Sequence, residues 1–138
     1  MYLDIITPEN NVLSEEIDEV LVPTEKGQIG VLKHHINIVT KLTPGEIIVK
    51  AKGKENLIAV SGGFLEVSNG KVTILSDYAE HAKDIDVQRA TEAQKRAEEL
   101  LSKKKAELSE EEIIKIEAEL RLSLLQQHIA QHHRRRSN

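Results

Sequence analysis

The composition of this chain changes abruptly after Tyr78, and this change constrains the fold more than any other feature. Every Gly, every Pro and every aromatic residue lies within residues 1–78, and residues 79–138 contain none of them. Gly and Pro mark turns, and both are unfavourable inside helices. The sequence therefore predicts a turn-rich β domain over residues 1–82, followed by an almost purely helical domain over residues 83–138.

Short segments rich in β-branched residues recur through the first domain at spacings of roughly 8–12 residues. Turn residues separate them, and the clearest turn is Asn69-Gly70, because both residues tolerate the positive φ that a two-residue hairpin requires. This pattern predicts an antiparallel β-sandwich or flattened barrel, and we expect a sandwich of about ten short strands. The clearest strand segments lie at residues 3–5, 47–49, 57–60, 64–67 and 72–75.

The second domain, called the arm below, is predicted to form an antiparallel hairpin of two helices. Asp84 and Asp86 supply acidic groups at the start of the first helix, where capping and the helix dipole both favour them. Ser109 followed by Glu112 is a capping box that begins the second helix. Residues 102–108 between them contain neither Gly nor Pro and mostly favour helix. One continuous helix would therefore cost little locally, so the sequence permits two states of the arm.

Several function classes are excluded by composition. The chain has no Cys, which excludes disulfides, thiolate metal sites and cysteine nucleophiles. No apolar run approaches the roughly 18 residues of a membrane-spanning helix, and the start lacks the pattern of a secretory signal. The net charge of −4 and the absence of aromatic residues from the arm argue against nucleic-acid binding. We expect a cytoplasmic protein, or one held at the cytoplasmic face of a membrane by its partners, and not an enzyme.

The histidines allow two interpretations each. His34 and His35 could be catalytic or metal-binding, but adjacent residues on a strand point to opposite faces, which favours one exposed loop histidine beside a packed one. His128 and His132 have the helical spacing of a metal chelate, whereas a solvated basic terminus is the simpler interpretation. No metal site is predicted. Residues 31–39 are unusually apolar for a connection and could bind a partner.

Three segments, taken together, resemble the epsilon subunit family of the rotary F-type ATP synthase, which is called delta in mitochondria. Residues 27–32, GQIGVL, followed by His35, are similar to the family's Gly-x-x-Gly-hydrophobic stretch and its nearby histidine. Residues 61–67, SGGFLEV, followed by residues 72–75, match another family segment. Residues 85–90, IDVQRA, lie at the junction of the two domains. The Pro that the family usually carries two residues after the histidine is absent, and Asn37 stands there.

The resemblance implies a non-catalytic rotor subunit that requires no cofactor. The sandwich would pack on the gamma shaft and couple it to the membrane ring of c subunits, so that membrane association would arise only through the complex. The arm would inhibit ATP hydrolysis by switching between a folded and an extended state. The loop that would face the c ring contains Lys33, His34, His35 and Ile36. The residues that would contact the alpha/beta catalytic head are Lys103, Lys104, Lys105, Arg121, Arg134, Arg135 and Arg136.

ATP is a candidate regulatory ligand of the arm. Asp86 and Arg89 are three residues apart on a helix, and the simplest interpretation is a surface ion pair. In some bacterial members of the family, however, Ile/Leu-Asp-x-x-Arg-Ala is a signature of ATP binding to the folded hairpin. The nucleotide-binding residues that the resemblance implies are Glu80, Ile85, Asp86, Arg89, Ala90, Arg96 and Arg121.

One alternative to the rotor subunit stays open at the level of sequence. A freestanding β-sandwich adaptor could use the same helical hairpin to dock another protein. Co-purification with the gamma subunit would distinguish the two.

Overall fold

The structure is a computed structural model that describes residues 1–35 and 37–137. The chain divides into two compact units, the first comprising residues 1–84 and the second beginning at Ile85. The first unit is built from strands and ends in a short 3₁₀ turn, Ala82–Asp84, and the second consists of two α-helices. Within the described residues, no helix combines the length and apolar character that crossing a bilayer requires.

The first unit is a β-sandwich, as predicted. Its described residues form ten strands in two five-stranded sheets, with the orders β2-β1-β9-β8-β5 and β10-β7-β6-β3-β4. The strands are β1 (Tyr2–Ile6), β2 (Asn11–Glu16), β3 (Glu19–Thr24), β4 (Gly27–Leu32), β5 (Ile38–Leu42), β6 (Gly45–Ala51), β7 (Lys54–Val60), β8 (Gly63–Ser68), β9 (Lys71–Leu75) and β10 (Ala79–His81).

One pair of strands departs from the predicted antiparallel arrangement. β1 and β9 are parallel, with Leu3 opposite Val72 and Ile5 opposite Ile74. The hairpin with β2 fixes the direction of β1, and the hairpin with β8 fixes the direction of β9. No local turn connects β1 to β9, so the alternation of residues within each strand did not reveal their relative direction.

Alternating side chains of both sheets fill the space between them. Burying an aliphatic side chain of this size stabilises the fold by about 1.5–3 kcal/mol, so these residues supply most of the driving force for the sandwich. The side chains with no exposed surface include Leu3, Ile5, Val20, Val22, Val31, Ile47, Ile58, Val60, Leu65, Val72 and Ile74.

Tight two-residue turns connect neighbouring strands, one of them at the predicted Asn69-Gly70 position. Asn69 and Gly70 have φ values of 49° and 80°, which confirms the two-residue hairpin between β8 and β9. Lys52 and Gly53 form a similar turn between β6 and β7, with φ values of 53° and 76°.

The second unit contains α1 (Val87–Lys103) and α2 (Glu110–Ser137). Gln94 is hydrogen-bonded to Gln127, and Leu101 lines a cavity with Leu120, so the two helices run antiparallel. This confirms the predicted hairpin.

The helical preference of residues 103–108 does not prevail in the structure. The N–H of Lys104 donates to the carbonyl of Leu100, and a short 3₁₀ turn, Lys105–Glu107, follows. The predicted capping box explains the interruption, because Ser109 and Glu112 exchange two hydrogen bonds of 3.2 Å that begin a new helix. The pKa of Glu112 lies below its usual value, because the Ser109 backbone N–H first, and the Ser109 hydroxyl second, hydrogen-bond to its carboxylate.

Candidate functional site

Asp86 is the N-cap of α1. Its backbone is extended, with φ −86° and ψ 101°, and its side chain accepts the backbone N–H of Arg89 at 3.1 Å. Such a cap stabilises a helix by about 1 kcal/mol. The contact between Asp86 and Arg89 is therefore a hydrogen bond from the backbone amide of Arg89 to the carboxylate of Asp86. Arg89 itself is exposed. The carboxylate has a structural role in the free chain, whatever else it binds.

The two apolar residues of the same segment are buried, with 9% of Ile85 and 3% of Ala90 exposed. Glu80 lies upstream on β10, half-buried, and accepts a hydrogen bond of 2.5 Å from the hydroxyl of Tyr78. The Glu80 carboxylate is thus already engaged within the first unit.

The three candidate arginines are exposed and do not all share one face. Gln94 points at α2, and Arg96 follows it by two residues, so Arg96 lies roughly half a turn around the helix from that contact. Arg89 lies seven residues before Arg96 and shares its face. A ligand held by both would therefore lie along the side of α1 that points away from α2. Arg121 belongs to α2.

Three of the four predicted ring-facing residues, Lys33, His34 and His35, form a turn after β4. The N–H of His35 donates to the carbonyl of Leu32 at 3.0 Å, and His34 has a φ of 71°. The sequence interpretation used strand geometry to separate the two histidines, whereas they lie in a turn that begins at Lys33. The favoured interpretation, an exposed loop histidine beside a more packed one, agrees with the structure. Lys33 and His34 are exposed and His35 is half-buried. Ile36, also predicted for this loop, lies outside the described residues.

This turn, residues 33–35, and Asn37 ahead of β5 lie at the same end of the sandwich as the hairpin turn at Asn69-Gly70. The backbone N–H of Asn69 donates to the side-chain oxygen of Asn37 at 3.1 Å, which ties the two connections together. Leu32 is 55% exposed beside the turn. The two connections and this exposed apolar side chain therefore lie together at one end of the sandwich.

A second exposed apolar surface was not predicted from the sequence. Phe64 and Leu75 are directly opposite each other on β8 and β9 and are 55% and 51% exposed. Together with Ile6, Gly62 and Gly63 they line a cavity of about 400 Å³. The strand pattern identified these residues as sheet-forming, but which side of the sheet lacks a covering layer depends on the packing of the two sheets.

The predicted basic contact residues fall into separate groups. Lys103, Lys104 and Lys105 are exposed at the break between the helices, and Arg134, Arg135 and Arg136 are exposed near the end of α2. Because the helices are antiparallel, these two groups lie at opposite ends of the hairpin.

A polar cluster on the outer side of the first sheet was also missed. The Ser14 hydroxyl donates to Asp4 at 2.5 Å, and the Lys71 ammonium lies 3.3 Å from the same carboxylate. The hydrogen bond from Ser14, assisted by Lys71, holds the pKa of Asp4 below its usual value of 3.8. The three residues lie on neighbouring strands, so only the strand order brings them together.

A β-sandwich joined to a helical hairpin, with apolar and charged contact surfaces, defines a class of two-domain binding subunits. Two family models match this chain in succession. The β-sandwich domain of the ATP synthase delta/epsilon chain matches residues 1–82, and the long α-helix domain of the same chain matches residues 83–131. The chain therefore belongs to the ATP synthase delta/epsilon chain family.

Individual relatives agree with the family models. The ATP synthase epsilon chain of Desulforamulus reducens is 48% identical over 106 residues, which cover 77% of this chain and 80% of the relative. The ATP synthase epsilon chain of Thioalkalivibrio sulfidiphilus is 40% identical over 127 residues, covering 88% and 90%.

Two solved structures share the fold. A chain in the cryo-EM structure of the Euglena gracilis mitochondrial ATP synthase, comprising OSCP, F1 and the c ring, matches with a TM-score of 0.68 and 27% identity, over 86% of this chain and 73% of that one. A chain of the central stalk and c ring of the Tetrahymena thermophila mitochondrial ATP synthase matches with a TM-score of 0.60 over 94% and 95%. Its identity of 12% supports the fold alone.

Proposed function

We propose that this chain is the epsilon-type subunit of a rotary ATP synthase, part of its central stalk and without catalytic activity of its own. The observation that carries this function is the succession of the two family domains along residues 1–131. The similar Euglena chain belongs to an assembly of F1 and c ring, which supports the gamma shaft and the ring as partners. The subunit would be peripheral, at the cytoplasmic face of the membrane.

The sandwich acts as a rigid coupling element between gamma and the c ring. The stiffness of the sandwich supports this role, because two packed sheets with an aliphatic core between them deform little under load. The turn at residues 33–35 is the surface that contacts the ring, and the exposed Leu32 beside it contributes apolar contact area.

The arm inhibits ATP hydrolysis when it extends and contacts the alpha/beta catalytic head. The absence of Gly and Pro from residues 102–108 supports this, since a helix could propagate through the break. The three exposed lysines at the break and the three exposed arginines near the end of α2 carry the positive charge that would contact acidic groups on the head.

Hydrolysis by the assembled enzyme tests the inhibitory role. We expect a chain truncated after Ala82 to give a higher rate of ATP hydrolysis than the full chain, at equal incorporation into the complex. A full-length chain with Lys103, Lys104 and Lys105 replaced by Gln should raise the rate partly, since it keeps the helices and removes their charge. An unchanged rate in both would remove the inhibitory role. Co-purification of both variants with gamma would leave the rotor role intact, and its loss would favour the freestanding adaptor.

ATP would bind the folded arm along the side of α1 that carries Arg89 and Arg96. A ligand that binds only the folded state stabilises it by about 2.7 kcal/mol at a concentration one hundred times its Kd. Asp86 cannot be the sole anchor, because its carboxylate already caps α1. Calorimetry with millimolar ATP should give heat with the wild type and little with Arg89→Gln or Arg96→Gln. Absence of heat with the wild type would remove ATP as a ligand.

A further inference from the structure

A half-buried amide pair joins the two helices of the arm. The side-chain nitrogen of Gln127 on α2 donates to the side-chain oxygen of Gln94 on α1 at 2.8 Å. The same nitrogen donates its second hydrogen to the carbonyl of Ser123 within α2, at 3.2 Å. Both donor positions of Gln127 are therefore used, one across the helices and one along its own helix.

The neighbour of this pair on α1 is also polar. The Thr91 hydroxyl lies 2.9 Å from the carbonyl of Val87 and 3.5 Å from the side-chain oxygen of Gln127. A hydroxyl donates only one hydrogen, so the shorter bond within α1 prevails. The cross-helix contact at this level therefore depends on the Gln94–Gln127 bond.

A polar contact of this kind has two consequences. Separating the amides costs little, because water replaces the lost hydrogen bonds, whereas separating two aliphatic side chains loses their full transfer free energy. The bond also depends on direction and distance, so a shift of one helix along the other breaks it. Single polar contacts between helices are known to fix register at a cost in stability.

We propose that the Gln94–Gln127 pair regulates the arm: it fixes the register of the closed hairpin and keeps closure weak enough to reverse. This inference rests on the proposed switching of the arm. It assigns the balance between the closed and open hairpin to two residues that lie outside the predicted nucleotide-binding and head-contacting groups.

The test compares the wild type with Gln94→Leu/Gln127→Leu in the full chain. The chain has no Cys, so Lys95→Cys and Glu119→Cys, both at exposed positions of different helices, can carry spin labels. Pulsed EPR across a urea series gives the closed fraction and the spread of distances. We expect the double variant to raise the ratio of closed to open hairpin about tenfold and to broaden the distance distribution, because leucines fix no register.

Two controls make the result specific. Gln88→Leu makes the same chemical change at an exposed position of α1 and should leave the closed fraction unchanged. Gln127→Leu alone leaves the Gln94 amide without this bond and should lower the closed fraction, and Gln94→Leu alone should do the same to Gln127. The effect of the double variant should therefore differ from the sum of the two single effects. A double variant that closes no more than Gln88→Leu would overturn the proposal.

Hydrolysis by the assembled enzyme separates this inference from the function on which it rests. A more closed hairpin together with faster hydrolysis supports both. A more closed hairpin with unchanged hydrolysis supports the role of the amide pair and contradicts the inhibitory arm. An unchanged hairpin contradicts the role of the pair, whatever the rate of hydrolysis.

Discussion

Replacing Gly63 by Ala tests whether the close approach of β8 to β9 defines the sandwich. A Cβ atom at this position would lie 2.0 Å from the carbonyl oxygen of Leu75 and 3.0 Å from the Cα of Ser76. Both are backbone atoms, so no side chain can move aside to make room. Gly63 also has a φ of +125°, a conformation that costs a residue with a side chain about 1–3 kcal/mol.

Relief of the clash requires β8 to move away from β9, which weakens backbone hydrogen bonds worth about 0.5–1.5 kcal/mol each. Strain and the loss of two such bonds together give an expected loss of about 2–6 kcal/mol. A unit of this size has a total stability of about 4–13 kcal/mol. Gly63→Ala should therefore remove a large fraction of the free energy of unfolding of the sandwich.

Two other glycines provide matched controls. Gly70 has a φ of +80° with no atom within 4 Å of the added Cβ, so Gly70→Ala should cost only the conformational strain, about 1–2 kcal/mol. At Gly30 the added Cβ meets the side-chain ends of Leu21 and Glu19, at 3.1 Å and 3.3 Å, and flexible ends can adjust. Gly30→Ala should cost less than about 1 kcal/mol.

Urea unfolding followed by tyrosine fluorescence measures these losses in the sandwich alone. Tyr2 and Tyr78 both lie in the first unit and the chain has no Trp, so the arm does not contribute to the signal. The expected order of loss is Gly63→Ala, then Gly70→Ala, then Gly30→Ala. Equal losses for the first two would show that the contact with the Leu75 carbonyl does not restrict the fold.

Two further predictions concern the cap and the outer polar cluster. Asp86→Ala should destabilise α1 by about 1 kcal/mol, seen as a loss of ellipticity at 222 nm at a lower temperature than in the wild type. Asp86→Asn should retain most of the stability, because Asn also caps helices. Equal losses in the two variants would contradict the capping role. Because its partners lower the pKa of Asp4, the cluster stabilises the sandwich above pH 3.8 and loses this effect as the pH falls through the lowered pKa. Ser14→Ala should therefore be less stable than the wild type near neutral pH and converge with it in strong acid; a constant difference across pH would contradict the assignment.

Sequence alone determined those parts of this protein that depend on a few neighbouring residues. The loss of Gly, Pro and aromatic residues after Tyr78 separated the sheet from the helices, and Asn69-Gly70 located a hairpin. Ser109 and Glu112 located the start of α2. In each case the local conformational preference is strong and the partners lie within a few residues, so the order of residues carries the information.

Tertiary structure alone decided which distant groups meet. The parallel pairing of β1 with β9, the carbonyl of Leu75 against Gly63, and the bond between Gln94 and Gln127 each join residues of different strands or helices. Such contacts depend on how whole strands and helices pack, and a residue pattern that specifies each element separately is compatible with several packings. The fold class was therefore readable from the sequence, whereas the exposed apolar pair of Phe64 and Leu75 was not.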